Sequence, residues 1–508
     1  MLDARLILDS DYVIGEVDPR LFGGFAEHLG RHIYEGIYEP GHPTADSRGF
    51  RGDVIALVRE LNMPVMRYPG GNFVSGYRWE DGVGPRDARP VRLDLAWKST
   101  EPNQFGTNEF VEWCREVGSA PMLAVNLGTR GPEEARALVE YCNHPGGSYW
   151  SDLRHQHGYP QPHGVKLWCL GNEMDGPWQM GHKTAAEYGR VACEAAKLMK
   201  WTDPSIELVV CGSSGRGMAT FGAWELEVLR HTFDHVDYLS IHTYYGNRDG
   251  NTPGFLAKPD EMGDFIDEVA ACCDAVAAQR RSRKRLFLSF DEWNVWYHSH
   301  ASPKPPPWSV APHLLEDVYT MEDALCVGGM LITLINHTDR VKVACLAQVV
   351  NVIAPIMTEK GGPAWRQTIF YPFAQASNLG RGTTLRALVQ SPRYDTKERE
   401  GVPYLKAAAV TNAERSRLTL FCLNRHLSEP LALTVDLRAF PRLAHARATT
   451  LWHPNLHAAN TRHAPHTVEP QPLADVRVDD TALTALLPAA SWSVITAAVP
   501  DAERKGGA

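Results

Sequence analysis

The chain has 508 residues, of which 44% are hydrophobic and 22% charged. This is an ordinary globular composition, with enough length for one large catalytic domain and a smaller one. A formal net charge of −9 argues against a nucleic-acid partner, because proteins that bind nucleic acids concentrate Lys and Arg on one face. Small neutral substrates fit this composition better.

The sequence carries no clear secretion or membrane signal. The N-terminal segment MLDARLILDSDYVIGE has charges inside its only apolar stretch, so it lacks the uninterrupted apolar region of a signal peptide. No uncharged apolar run is long enough to span a membrane. We therefore expect a cytoplasmic protein without a membrane partner. Ten scattered cysteines, with no C-x-x-C pair, are predicted to be buried thiols rather than disulfides.

The predicted elements begin with a short strand in ARLILDSDYVIGEV, and we expect residues 1–17 to join a sheet of the C-terminal part. From residue 18 to about 384, short apolar runs alternate with helical patterns. Two helices have recognisable starts, with Pro132 in a first turn and Thr184 and Glu187 at capping-box spacing. Eight candidate strands end near Glu27, Arg67, Asn126, Asn172, Ser213, His242, Glu292 and Asn336.

Eight units of strand, loop and helix predict an α/β protein with a (β/α)8 TIM barrel. A doubly wound open sheet is the structural alternative. After residue 384 the helical periodicity fades, and β-rich segments such as YLKAAAVTN and RLTLFCLN follow. We therefore predict an antiparallel β-sandwich over residues 385–500 and a disordered tail over residues 501–508.

Two of the candidate strands close on glutamates that we interpret as catalytic. Glu173 ends GVKLWCLGNE and Glu292 ends RLFLSFDE, three βα units further on. In a closed barrel they would cap the fourth and seventh strands and face the same mouth, where barrel enzymes place their chemistry. A retaining glycoside hydrolase needs such a pair, one carboxyl as acid/base and the other as nucleophile.

Asp291 directly precedes Glu292, which leaves an ambiguity. Neighbouring side chains of a strand point to opposite faces, so only one of the two acids is expected to face the barrel mouth, and spacing alone does not choose between them. Trp293, Trp296 and Tyr297 crowd the same turn. They suit either sugar stacking or the core.

Other polar residues lie at the ends of neighbouring strands. Arg67 and Asn72 flank a Gly-Gly turn, and His242 and Tyr244 alternate in SIHTYYG, so both could face one side. The sequence contains no dinucleotide or phosphate-binding glycine motif and no histidine motif for a metal. We therefore predict neither a cofactor nor a metal.

Seven long strings carry a resemblance to a known family: FGGFAEHLGR, MRYPGGNFVSGYRWEDGVGP, LAWKSTEPNQFG, WCLGNEMDGPWQMGHK, IHTYY, FDEWNVW and LAQVVNVIAPI. With them the chain resembles the glycoside hydrolase family 51 α-L-arabinofuranosidases. The resemblance implies a barrel fused to a β-sandwich and a retaining, exo-acting enzyme that removes terminal arabinofuranosyl groups. It also implies a homo-oligomer, commonly a hexamer.

The same resemblance implies roles for individual residues. Glu173 would be the acid/base and Glu292 the nucleophile, which decides between Asp291 and Glu292. The residues implied to hold the sugar or orient the carboxylates are Glu27, Arg67, Asn72, Asn172, His242, Tyr244 and Gln348, with Trp97, Trp178 and Trp296 at the pocket rim. The implied substrates are arabino- and arabinoxylo-oligosaccharides.

Two other functions fit parts of the pattern. A retaining endo-β-glucanase or xylosidase would use the same barrel and the same two glutamates, and only the shape of the pocket would differ. A sugar-binding module would use the glutamates only as hydrogen-bonding groups, without turnover.

Overall fold

A computed structural model describes residues 2–440, 443–479 and 481–499. The tail predicted at residues 501–508 lies outside this described part. The chain folds into a closed eight-stranded parallel barrel and a two-sheet β domain. The predicted TIM barrel is thereby confirmed, and the alternative of an open doubly wound sheet is wrong.

The eight barrel strands follow one another around the barrel in chain order, each parallel to its neighbours. We call them barrel strands 1 to 8, and their bounds are Gly23–Phe25, Val65–Tyr68, Ala120–Ala124, Leu167–Leu170, Glu207–Cys211, Tyr238–Tyr245, Phe287–Val295 and Val341–Ala347.

Helices surround the barrel and connect its strands. Both predicted helix starts are observed, with Pro132 in a first turn and the Thr184 hydroxyl accepting from the Glu187 backbone N–H at 3.3 Å. The helices are α1 (Gly52–Leu61), α2 (Thr107–Val117), α3 (Pro132–Asn143), α4 (Tyr149–Gln156), α5 (Ala185–Thr202), α6 (Ala223–Thr232), α7 (Thr252–Gln279), α8 (Met321–Asn336) and α9 (Phe370–Leu379).

The predicted eighth strand is wrong. The run MLITLIN that ends at Asn336 is the last part of α8, and the eighth strand is Val341–Ala347. Every residue of α8 from Met321 to Ile335 is buried. A helix that is apolar on all sides lacks the polar face that reveals helical periodicity, so its sequence looks like that of a buried strand.

The second domain is a sandwich of two sheets around its own apolar core. All neighbouring strands in the two sheets are antiparallel except one pair. The five-stranded sheet has the order Leu388–Gln390, Leu2–Ile7, Leu431–Asp436, Ala482–Leu487 and Val476–Val478. The seven-stranded sheet has the order Val13–Glu16, Thr383–Leu385, Leu405–Thr411, Arg417–Asn424, Ser491–Ala498, His445–Leu451 and Pro470–Pro472.

Three two-stranded hairpins complete the strand inventory of the described chain. They are Arg92–Asp94 with Ser99–Glu101, Ile356–Thr358 with Ala364–Arg366, and Arg393–Tyr394 with Val402–Pro403.

The N-terminal segment contributes one strand to each sheet of the sandwich. Leu2–Ile7 pairs in parallel with Leu431–Asp436, and Val13–Glu16 pairs with Thr383–Leu385. The chain therefore starts in the second domain, forms the barrel and returns to the sandwich.

The two domains meet along α7 and α8. Gly328 lies against the indole of Trp492, where a Cβ would stand 2.5 Å from a ring carbon, so only glycine allows this approach. Asp260 of α7 accepts from Arg425 at 2.8 and 2.9 Å and from Lys406 at 2.5 Å, both in the sandwich. The interface thus combines close apolar packing with a partly buried ion triad, whose members are costly to leave unpaired.

All ten cysteines are free thiols, and nine of them are buried. In the described residues, no helix has both the length and the apolar character needed to cross a membrane.

Candidate active site

The candidate active site is an open cavity of about 690 Å³ at the barrel mouth, a size typical of small-molecule sites. The side chains that the sequence singled out and that line it are Glu27, Asn72, Trp97, Glu173, Trp178, Tyr244, Glu292, Trp296 and Gln348. Three more, Arg67, Asn172 and His242, are buried and bond to these residues or to one another. The structure thus brings the predicted site residues together.

Arg67, at the end of barrel strand 2, connects several of these groups. Its guanidinium is 1% exposed, donates to Glu292 Oε1 and to Asn172 Oδ1 at 2.7 Å each, and lies 4.6 Å from the centre of the Phe25 ring. Because burial of an unpaired cation is costly, these contacts fix Arg67 in place. Arg67 in turn fixes Glu292 and Asn172.

Glu292 has a separate donor on each oxygen. Arg67 donates to Oε1 at 2.7 Å and the Tyr244 hydroxyl donates to Oε2 at 2.7 Å. These two donors hold the carboxyl group in one orientation. A carboxyl group fixed in this way is suited to act as a nucleophile.

Glu173 lies in the loop after barrel strand 4, with φ of 45°. Its Oε1 accepts from His242 Nδ1 at 2.9 Å and its Oε2 from the Trp178 indole at 2.7 Å. One carboxylate oxygen each of Glu173 and Glu292 and one His242 nitrogen lie within 4.8 Å of one another. The two carboxyl groups are therefore close enough to act on one bond.

His242 lies between the acids and is positively charged. Burial lowers its pKa, but Glu292, Asp291 and Glu173 raise it more strongly, to about 10. As an imidazolium it donates through Nδ1 to Glu173 and through Nε2 to Asp291, the latter at 3.1 Å. A protonated nitrogen has no lone pair for a cation, so a metal ion at this cluster would have to displace the proton from His242.

The expected alternation of Asp291 and Glu292 does not hold. Ser240 of barrel strand 6 pairs with Ser289 of strand 7, and His242 pairs with Glu292. Strand 7 therefore has one residue more than strand 6 between these two pairs. This β-bulge turns both acids into the barrel. Glu292 lines the cavity, whereas Asp291 lies fully buried, bonded to Ser240 and His242 and 3.5 Å from the Arg67 Nε.

Glu27 also lies in the cavity wall and is almost fully buried. It accepts from the Phe73 N–H at 3.0 Å, the Trp97 indole at 3.0 Å and the Gln348 amide at 2.8 Å. Burial, followed by the charge of Glu292, raises the pKa of Glu27 to about 8 despite the Phe73 and Trp97 donors. Near neutral pH, the raised pKa therefore favours the protonated form of Glu27.

The Gly-Gly turn after barrel strand 2 makes room for Glu27. A Cβ on Gly70 would lie 2.6 Å from the Glu27 Cγ, and one on Gly71 would lie 2.8 Å from its Oε2. Gly70 also has φ of 155°, a conformation that side chains rarely adopt. The turn therefore places Asn72 at the cavity beside Glu27.

Two further groups at the site have unpaired hydrogen-bonding atoms among the described residues. The Nδ2 of Asn172 and the Nε1 of Trp296 have no partner. The sequence left open whether the tryptophans after Glu292 pack in the core or face a sugar. Trp293 is buried in the core, whereas Trp296 lines the cavity.

Sequence reasoning missed Asp291 as a partner of His242 and Arg67. The Asp-Glu doublet was visible, but the bulge that turns Asp291 inward depends on the pairing of two strands distant in sequence. Ser240 was missed for the same reason.

Two carboxyl groups at this spacing, one just after barrel strand 4 and one in the second half of barrel strand 7, are typical of a glycoside hydrolase of the (β/α)8 type. Comparison with known proteins then gives the family. Models of the α-L-arabinofuranosidase 1 domain and the α-L-arabinofuranosidase C-terminal domain match residues 57–259 and 291–491.

Full-length relatives agree with these models. The chain is 59% identical to a Halalkalibacterium halodurans protein named intracellular exo-α-(1→5)-L-arabinofuranosidase, over 97% of this chain and 99% of that one. It is 50% identical to a Bifidobacterium longum exo-α-(1→6)-L-arabinofuranosidase, covering 97% of each. The solved structure of a Bifidobacterium longum family 51 α-L-arabinofuranosidase, AbfB, superimposes with a TM-score of 0.94 at 45% identity, over 98% and 100% of the two chains. The chain belongs to the family 51 α-L-arabinofuranosidases.

Replacing Asp291 by Asn should lower kcat by about 10- to 100-fold, because His242 loses the charge that keeps it protonated and in place. The pKa of His242 is raised above about 6.5, so its charge pairing is complete below that pH and disappears as pH rises towards about 10. In Asp291→Asn this loss should occur at lower pH. A pH profile of kcat should therefore show its alkaline limb shifted to lower pH.

Asp317→Asn is the matched control. Asp317 is also fully buried, but it accepts from the backbone N–H groups of Tyr297, His298 and Ser299. Its variant should retain the alkaline limb of the wild type. An unshifted limb in Asp291→Asn would refute the role of Asp291.

Proposed function

We propose that the protein removes terminal non-reducing α-L-arabinofuranosyl groups by a retaining double displacement, with Glu292 as nucleophile and Glu173 as acid/base. The spacing of the two carboxylates supports this, since their nearest oxygens lie within 4.8 Å. A retaining pair needs about 5 to 5.5 Å between carboxyl groups, whereas an inverting pair leaves about 6.5 to 9.5 Å for a water molecule.

In the first step, Glu292 attacks the anomeric carbon while Glu173 protonates the departing glycosidic oxygen. The rest of the oligosaccharide leaves with a hydroxyl group at this oxygen. In the second step, Glu173 takes a proton from water, and the resulting hydroxide displaces Glu292 from the sugar. His242 donates to Glu173 throughout and Tyr244 to Glu292. The unpaired Nδ2 of Asn172 is the natural donor to the sugar 2-hydroxyl.

Substitution of the two glutamates tests the roles with 4-nitrophenyl α-L-arabinofuranoside. Glu292→Ala should lose about 10⁴-fold or more in kcat, since no group remains to form the ester. Glu173→Ala should still release nitrophenol, a leaving group that needs no protonation, but should be limited by the second step. Azide, which needs no general base, should accelerate Glu173→Ala and yield the α-arabinofuranosyl azide.

The product configuration separates the possible outcomes. An α-azide from Glu173→Ala reports two inversions and so a covalent intermediate. A β-azide from that variant, or α-azide formation by Glu292→Ala, would reverse the assignment. Full activity of Glu292→Ala would leave only a binding role for the two glutamates.

We further propose that the substrates are short arabino-oligosaccharides with α-(1→5) linkages inside the cell, with arabinoxylo-oligosaccharides as further substrates. The support is the name of the 59% identical relative, intracellular exo-α-(1→5)-L-arabinofuranosidase. The 50% identical relative is named for (1→6) linkages. Glu27 and Gln348 lie together in the cavity wall, where their polar groups suit the hydroxyl groups of a terminal sugar.

A substrate panel tests this specificity. Arabinobiose with the (1→5) linkage should be hydrolysed with a kcat/KM at least about tenfold above that of (1→6) and (1→3) isomers, which is a difference of about 1.4 kcal/mol. Arabinotriose should be preferred to polymeric arabinan. Higher activity on aryl xyloside, aryl glucoside or soluble glucan would favour the alternative of a β-glycosidase or endoglucanase.

We also propose that the chain assembles as a hexamer, as the family resemblance implies. The hairpin of Arg92–Asp94 with Ser99–Glu101 supports an interface, because Val91, Leu93 and Leu95 are 65%, 59% and 61% exposed. Clustered exposed apolar side chains of this kind are typical of association surfaces. This hairpin leads directly to Trp97, which bonds to Glu27.

Light scattering tests the assembly. The wild type should have a mass close to six times the 56.5 kDa of the chain, and Leu93→Asp should shift it to smaller species. Arg92→Ala, at an exposed polar position of the same strand, is the control. A wild-type monomer would refute the proposal.

A further inference from the structure

A second cavity adjoins the catalytic one and is not used by the chemistry above. It has a volume of about 420 Å³. The two cavities share Tyr244, Tyr245 and Trp296 in their walls. A molecule that extends out of the catalytic cavity along Trp296 would come to the second one.

The lining of this second cavity is polar and its charges balance. Arg248 and Lys258 supply two cations, and Asp249 and Glu398 supply two carboxylates. Side chains of this kind, next to an aromatic wall, suit the many hydroxyl groups of a neutral sugar. An anionic or strongly cationic ligand would find no excess of opposite charge.

Asn247 adds an unpaired acceptor to this cavity. The residue is nine-tenths buried and lines the cavity. Its Nδ2 donates to Glu322 at 2.9 Å, whereas its Oδ1 has no hydrogen-bond partner among the described residues. Buried polar atoms are normally paired, so an unpaired one at a cavity wall marks a place for a ligand or ordered water.

One wall of the cavity belongs to the sandwich domain. Glu398 lies in the loop between Arg393–Tyr394 and Val402–Pro403. The Tyr394 hydroxyl donates to the Pro253 carbonyl at 3.1 Å, and Arg399 pairs with Asp264 of α7 at 2.6 Å. These two contacts hold the loop against the barrel, so that Glu398 has a defined place at the cavity.

We propose that this second cavity is an outer subsite that binds the second and third sugars of the leaving group of a neutral pentose oligosaccharide. The inference rests on the proposed function, since it concerns the chain that departs from the catalytic cavity. It assigns the sandwich domain a direct part in substrate binding. It also predicts that longer oligosaccharides are better substrates than the disaccharide, whose leaving group does not reach past Trp296.

Two variants test the subsite by different means. Glu398→Ala removes one hydrogen-bonding group, and Asp249→Trp fills the cavity from an exposed loop position. The measured quantity is kcat/KM for α-(1→5)-arabinotetraose divided by that for arabinobiose. Each variant should lower this ratio by about 3- to 10-fold, the loss expected for one or two hydrogen bonds, and should leave the disaccharide and 4-nitrophenyl α-L-arabinofuranoside unaffected.

Glu400→Ala is the matched control, because Glu400 is an exposed glutamate of the same loop that does not line the cavity. It should keep the wild-type ratio. In an active wild type, equal values of kcat/KM for the two oligosaccharides, or unchanged ratios in both variants, would overturn the subsite alone. A wild type that hydrolyses neither oligosaccharide would reject the proposed substrate, and with it the ligand assigned to this subsite.

Discussion

The site depends on one buried cation, the guanidinium of Arg67. Removal of a guanidinium from water costs several kcal/mol, and this cost is offset only by well-placed anions and hydrogen bonds. Here Glu292, Asp291 and Asn172 surround it, with the Phe25 ring on one face. These partners come from barrel strands 1 and 7 and from the end of strand 4. They therefore meet around Arg67 only when the barrel is closed.

The charges around Arg67 form one connected cluster. Three carboxyl groups, from Glu173, Asp291 and Glu292, face the two cations Arg67 and His242. Asp291 belongs to this cluster only because the bulge in barrel strand 7 turns it inward, where it contacts both cations. The bulge therefore shapes the electrostatics of the site.

Sequence reasoning predicted the barrel, and it predicted that Glu173 and Glu292 share the barrel mouth, because both depend on local signals. Each of these glutamates follows an apolar run, and the order of the runs fixes their places around a closed barrel. The signal failed at α8, whose burial on all sides hides its helical period. It also failed at Asp291, where the strand pairing overrides simple alternation. The outer cavity was beyond sequence reasoning altogether, since Glu398 reaches it from another domain.

The placement of the sandwich connects stability with binding through α7. Near its start, α7 carries Lys258 at the outer cavity, and Asp260, two residues further on, pairs with Arg425 and Lys406 of the sandwich. The loop that carries Glu398 is held against the same helix by Arg399, which pairs with Asp264. The partners of Arg67 in the catalytic cavity are Glu292, Asn172 and Asp291, which come from the barrel. In the proposed role of the outer cavity, changes in sandwich loops alter the preference for leaving groups and leave these barrel contacts in place.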